Sequence, residues 1–145
     1  MKRRNFLLVL GFIVLTGITG GAYGFYLYFK RHADLTRVAP DFTLQASEFA
    51  EAFENNEQEA SEKYIDKVLE VTGLISTLKT GTDSTINITL SNPGGISNVI
   101  CTIQDSELRD VSLKPGDWVV LRGECSGMLM DVLLNNCALI KQGDR

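Results

Sequence analysis

The chain is poor in the residues that usually carry chemistry. It has one histidine, His32, and three cysteines, Cys101, Cys125 and Cys137, each more than ten residues from the next. Zinc generally takes four nitrogen or sulfur ligands at close spacing, so neither a metal site nor a cofactor motif is written here. A nucleophilic thiol needs a base or a helix terminus beside it, and the sequence has no CxxC and no histidine near a cysteine. It therefore reads as non-enzymatic, without catalytic, cofactor-binding or metal-binding residues. Cations and rings are scarce beyond the first half. Residues 68–145 hold six Lys/Arg (Lys79, Arg109, Lys114, Arg122, Lys141, Arg145) against nine acids, and one aromatic, Trp118. Single-stranded nucleic acid is held by a positive groove with stacking platforms, and both are missing, which argues against direct nucleic-acid binding. A length of 145 residues allows one folded domain.

What is present begins with an apolar run. Phe6–Phe29 is 24 residues without a charge. At helical rise it spans roughly 36 Å, enough to cross a bilayer with some tilt. Lys2, Arg3 and Arg4 precede it, Lys30, Arg31 and His32 follow it, and Tyr23, Tyr26 and Tyr28 crowd its far end. Cations on the inner side and aromatic rings at the headgroups predict a single-pass anchor with a cytoplasmic N-terminus, residues 1–5, and a periplasmic or otherwise extracytoplasmic C-terminal domain. The alternative is a signal peptide cleaved near Gly20-Gly21-Ala22, which would leave YGFYLYF as an ill-suited soluble start. No cysteine lies near the run, which excludes a lipid-modified terminus. Gly17 with Gly21, and Gly20 with Gly24, form small-xxx-small pairs that would let two such helices approach as a homodimer.

Residues 30–43 read as a tether. Over 44–66 the period changes: Phe49, Ala52, Phe53, Asn56, Ala60 and Tyr64 share one face of an amphipathic acidic helix. Ser47 or a neighbour is expected to cap it. Glu48, Glu51 and Glu54 lie off the apolar stripe and offer a docking face for a basic partner; the plainer reading is a solvated surface. The stripe itself is expected to pack as a lid on one end of the C-terminal β region, because a lone amphipathic helix needs a surface to bury.

From 67 to 141 the chain becomes β-patterned. VLEVTGLISTL, INITL, NVICTI, WVVLRGEC and DVLLNNCALI are β-branched or alternating runs separated by turn signals such as Asn92-Pro93-Gly94-Gly95 and Lys114-Pro115-Gly116-Asp117. The longest gap, Gln104 to Leu113, has room for a short helix. Five strands with a helical link after the third describe an oligonucleotide/oligosaccharide-binding (OB) barrel. Gly73 and Gly123 inside strands suit its bends. The expected architecture is mainly β with one flanking α-helix: an N-terminal transmembrane helix, an amphipathic helix, a five-stranded OB-fold-like barrel and a tail, 142–145.

The same stretches carry a family likeness. Phe53-Glu-Asn-Asn-Glu-Gln-Glu-Ala60, Lys63-Tyr64, Lys67-Val-Leu-Glu-Val-Thr-Gly73, Val99-Ile-Cys101, Lys114-Pro-Gly-Asp117, Gly123-Glu-Cys125-Ser-Gly127 and Asn136-Cys137 resemble the bacterial tRNA-anti-like family of OB-fold envelope proteins, often lipoproteins. The likeness covers about residues 44–141. This chain departs from it in having an apolar anchor and no lipobox. The resemblance implies the fold; the family name refers to anticodon-binding domains by shape, and no catalytic residue carries over.

The candidate ligand face is then the polar side of the barrel: Asn87, Thr89, Asn98, Thr102 and Trp118, with Asn135 and Asn136 nearby. Such groups suit a peptide or a glycan, and the partner expected is an envelope protein or glycan. An exported domain also permits a disulfide, Cys137 with Cys125 or Cys101, the odd cysteine staying free. The plainer reading is three small buried hydrophobes. The function expected is a membrane-anchored extracytoplasmic OB-fold interaction module; the alternative is an oligonucleotide- or oligosaccharide-binding OB protein.

Overall fold

A computed structural model describes residues 13–26 and 35–143. The chain divides into two compact units, Met1–Ala33 and Asp34–Arg145. In the first, residues 13–26 form helix α1. Its apolar side chains, among them Ile13, Leu15, Ile18 and Phe25, are more than half exposed. Thr16 and Thr19 return their hydroxyls to the carbonyls of Ile13 and Leu15, at 3.0 and 2.8 Å, which hides their polarity within the helix. Both ends of the apolar run 6–29 lie outside the described residues, and among the described residues no helix is long and apolar enough to cross a membrane.

The second unit runs β1 (Phe42–Gln45), α2 (Ala46–Asn55), α3 (Glu57–Tyr64), β2 (Val68–Thr80), β3 (Thr85–Leu90), β4 (Val99–Gln104), β5 (Trp118–Met128) and β6 (Val132–Gly143), with 3-10 turns at Leu35–Arg37 and Asp105–Leu108. Strands pair in the order β2-β3-β4-β6-β5, and β5 returns to β2. That closes a five-stranded barrel in which β4 and β6 are parallel and the other ring pairs antiparallel. This is the OB topology expected from the five β runs, and the room after β4 holds a 3-10 turn.

β2 explains the closure. Its residues alternate, so Leu69, Val71 and Ile75 point inward and are buried. Its first half, through Leu74, pairs with β5, and from Ile75 onward it pairs with β3. Gly73 sits at this handover because a Cβ there would stand 2.9 Å from the Ala46 Cβ and 3.2 Å from that of Leu90.

Two expectations are corrected. Residues 42–45, divided above between tether and helix, are β1, a short strand parallel to Leu69–Thr72 of β2. Asp41 starts this pairing: its N–H donates to Val68 O (2.8 Å) and its carboxylate accepts from Val68 N (2.9 Å). The single helix over 44–66 is two helices. Asn56, with φ −156°, is extended; its Oδ1 accepts from Glu59 N at 3.2 Å and so caps α3. The cap of α2 is Gln45, a near neighbour of Ser47, its N–H donating to Glu48 Oε2 at 3.0 Å.

The apolar stripe packs inward. Phe49, Phe53, Ala60 and Tyr64 are buried, and α2 lies against β1, β2, β4 and β6 while α3 meets β5. Phe49 meets Phe53 and Tyr64 edge-on at centroid distances of 5.6 and 5.4 Å, and Phe42 adds a third such contact with Tyr64 at 5.2 Å. Each such pair adds about 0.5–1.5 kcal/mol beyond the area buried. The chain leading to β1 is also fixed. Arg122 bonds Glu70, its cross-strand partner, and its Nη1 donates to the carbonyls of Leu35, Thr36 and Val38 at 3.1, 3.1 and 2.6 Å.

Candidate ligand-binding face

Alternation along β2, β3 and β4 turns Ile88, Leu90, Cys101 and Ile103 into the core. The residues between them make the outer face. Register places Lys79 beside Asn87, Asn87 beside Thr102, Thr77 beside Thr89, and Thr89 beside Ile100. The Thr102 hydroxyl donates to Asn87 Oδ1 at 2.9 Å, so two of the candidate ligand residues satisfy one another. Lys79 is the only Lys or Arg on these three strands, and none of them carries an aromatic residue. This surface can exchange hydrogen bonds with a neutral polar chain. It supplies little to hold a polyanion.

The other candidates lie elsewhere. Asn98 sits at the barrel end before β4: its N–H donates to Asp131 Oδ1 (2.7 Å), and its Oδ1 accepts from Asn92 N (3.3 Å). Trp118 begins β5 and is 44% exposed. It borders a separate hollow of about 90 Å³ with Ser47, Gly73 and Pro93. Asn135 donates to Ser126 Oγ at 2.7 Å, and Asn136, at φ +51°, forms a bulge in β6. Polarity alone groups these residues; the topology joins Asn87, Thr89 and Thr102 and separates the rest.

The acidic docking face is reduced in the same way. Glu48 is occupied with the cap of α2. Glu54 Oε1 accepts from Ile96 N, Ser97 N and Ser97 Oγ at 2.9, 2.7 and 2.6 Å, binding α2 to the loop that precedes β4. The Ser97 hydroxyl, then its N–H, with Ile96 N–H helping, hold the Glu54 carboxyl below its ordinary pKa against some desolvation. Of the three, Glu51 alone makes no bond with a described residue. Nothing in the sequence marked Glu54 out, since Ile96 and Ser97 lie more than forty positions away.

The three cysteines are buried free thiols, so neither expected disulfide is formed. Register sets both Cys101 and Cys125 opposite Leu134, and sets Cys137 opposite Ile103. Burial, with a hydrogen bond to Cys101 adding to it, holds the Cys137 thiol well above its ordinary pKa; burial raises Cys125 as well. Both are the inert kind of cysteine. Among the described residues no group of three or more His, Cys, Asp or Glu could hold a metal ion. In α1, a Cβ added at Gly17, Gly20, Gly21 or Gly24 would meet nothing within 4 Å.

The family model tRNA_anti-like matches residues 1–139. Among solved structures, the chain is similar to a Klebsiella pneumoniae lipoprotein provisionally named nucleic acid-binding, at 19% identity and TM-score 0.57, over 68% of this chain and 91% of that one. It is also similar to the S. pombe Stn1-ten1 complex (14% identity, TM-score 0.44, 54% of this chain and 59% of that one). A third likeness is to Entamoeba histolytica asparaginyl-tRNA synthetase (12% identity, TM-score 0.40, 55% of this chain and 22% of that one). The first of these supports the fold. No curated protein matches the chain.

Proposed function

Because the chain belongs to the tRNA_anti-like family, with its OB barrel, we propose that it is a non-enzymatic interaction module anchored in a membrane and facing away from the cytoplasm. The observation that carries the binding mode is the outer face of β2–β4. Its threonines and Asn87 suit the hydroxyls or amides of a glycan or an extended peptide. One cation and no ring leave a nucleic-acid strand without charge neutralisation or stacking. The anchor rests on the uncharged run 6–29 behind Lys2, Arg3 and Arg4. Within that run the paired glycines support association of two anchors.

A second reading, an oligonucleotide binder, is favoured by the provisional name of the Klebsiella lipoprotein that shares this fold. One experiment separates the two. The reconstituted full chain is titrated with a fluorescent single-stranded oligonucleotide over a range of salt. The interaction-module reading expects no saturable binding at physiological salt. Tight binding with a steep salt slope would establish the second reading instead. The anchor is tested separately by reporters fused after Arg145: an enzyme active only outside the cytoplasm is expected to work, and a functioning cytoplasmic reporter would overturn the topology.

A further inference from the structure

The two ends of the barrel are finished differently. Before β4, α2 is fastened to Ile96 and Ser97 by Glu54. After β4 the chain makes only the 3-10 turn Asp105–Leu108 before running on to β5. At that end a hollow of about 360 Å³ stays open, floored by Leu78, Ile86, Leu108 and Val111, with Asp105 and Ser112 at its rim. Leu78 and Ile86 pack on the core on one side yet are only half-buried, so apolar surface faces the hollow uncovered. The Asp105 carboxylate makes no hydrogen bond or ion pair with a described residue; its backbone N–H is the group in use, donating to Ser84 O at 2.9 Å. The segment 104–113 carries Asp105, Glu107 and Asp110 against Arg109, so this side of the hollow is acidic, while Lys79 and Lys114 adjoin its other lining residues in the chain.

An apolar floor with a few orienting polar groups, in the mouth of a small barrel, is the usual form of a small-molecule site. We propose that this hollow binds a small cationic amphipath: a compact apolar body lying on Leu78, Ile86 and Val111, with its ammonium group directed at Asp105. A hollow of about 360 Å³ lies at the small end of the range for small-molecule sites. Apolar contact supplies the attraction, and the unpaired carboxylate selects the sign of the head. The site is separate from the outer face of β2–β4 and does not depend on what that face binds.

The test uses the full chain in a lipid nanodisc with labelled Leu, Ile and Val methyl groups, and three probes of one shape: cyclohexylmethylammonium, cyclohexylmethanol and cyclohexanecarboxylate. The ammonium is expected to move the Leu78, Ile86, Leu108 and Val111 methyl signals saturably. The alcohol should bind more weakly and the carboxylate most weakly. Asp105→Asn should weaken the ammonium about 1.5- to fivefold, the range of an exposed ion pair, and leave the alcohol unchanged. Val111→Phe, which fills the hollow, should abolish both responses; should that variant fail to fold, Asp105→Asn decides alone. Methyl shifts scattered over the barrel, equal binding of the three probes, or an ammonium affinity indifferent to Asp105→Asn would overturn the proposal.

Discussion

Phe53 is 1% exposed and touches both Phe49 and Tyr64. Phe53→Ala should lower unfolding stability by about 3–5 kcal/mol, the range for emptying a core aromatic site, read from the denaturation midpoint. A small shift would mean that the helix pair contributes little to the core. This residue was legible: the 3-1-3-4-4 spacing already put Phe49, Phe53, Ala60 and Tyr64 on one face. Glu54 was not legible, because an acid on an exposed helix face looks the same whether it is solvated or bound to a distant loop. Its lowered pKa gives it a pH signature. A carboxyl with a folded pKa below its unfolded one contributes fully above the unfolded value, near 4.3, and loses that contribution as pH falls through the folded value. The amide signals of Ile96 and Ser97 should therefore hold steady through the ordinary glutamate range and move only at lower pH. In Glu54→Gln the same signals should be displaced at neutral pH and lack that transition. Glu51→Lys should leave stability within about 0.5 kcal/mol, as a surface change away from any bond.

At the scale of elements, the sequence marked every ring strand and missed two breaks in the first half. β1 was hidden because FTLQ is too short to show a period, and its partner, Leu69–Thr72, lies more than twenty residues downstream. The break between α2 and α3 was hidden for a different reason. Asn56 falls on the apolar stripe, so periodicity absorbed it, while Asn56-Glu57-Gln58-Glu59 also carries the spacing of an N-terminal capping box. The side chain at position 56 bonds the Glu59 N–H and Oε2. Asn56→Ala should cost about 0.5–2 kcal/mol and Asn56→Gly only about a few tenths of a kcal/mol, measured by thermal or chemical unfolding. If Asn56→Ala stabilises the protein, the two helices gain more by joining than the cap supplies. The candidate ligand face was half legible for a related reason. Residue polarity can be read along one strand, but which polar residues become neighbours depends on register, and register set Asn87 against Thr102 while sending Asn98 and Trp118 elsewhere.

For the whole molecule, the closed five-stranded ring followed from the β runs and the turn signals between them. The state of the cysteines did not follow, since neither strand pattern nor spacing shows which thiols meet: Cys137, opposite Ile103, is hydrogen-bonded to Cys101, and all three thiols are free. All three thiols are shielded by the closed barrel. A thiol-reactive reagent should leave the native full chain unmodified and add three equivalents after denaturation under reducing conditions; rapid labelling of the native protein would mean that the barrel opens readily.

The way β2 is shared has a consequence for how the barrel comes together. One edge of its first half is covered early, because β1 precedes it in the chain and is already made, and its second half finds β3 across a short turn. The remaining edge waits for β5, where Val68 meets Glu124 more than fifty positions later. Loops of that length close slowly, and non-local pairing of this kind sets the pace of β folding. As the chain is synthesised, the β5 side of β2 therefore remains an unpaired strand edge until most of the protein has been made. During that interval a neighbouring copy could pair with it in place of β5, so the barrel is most exposed to mispairing just before its ring closes.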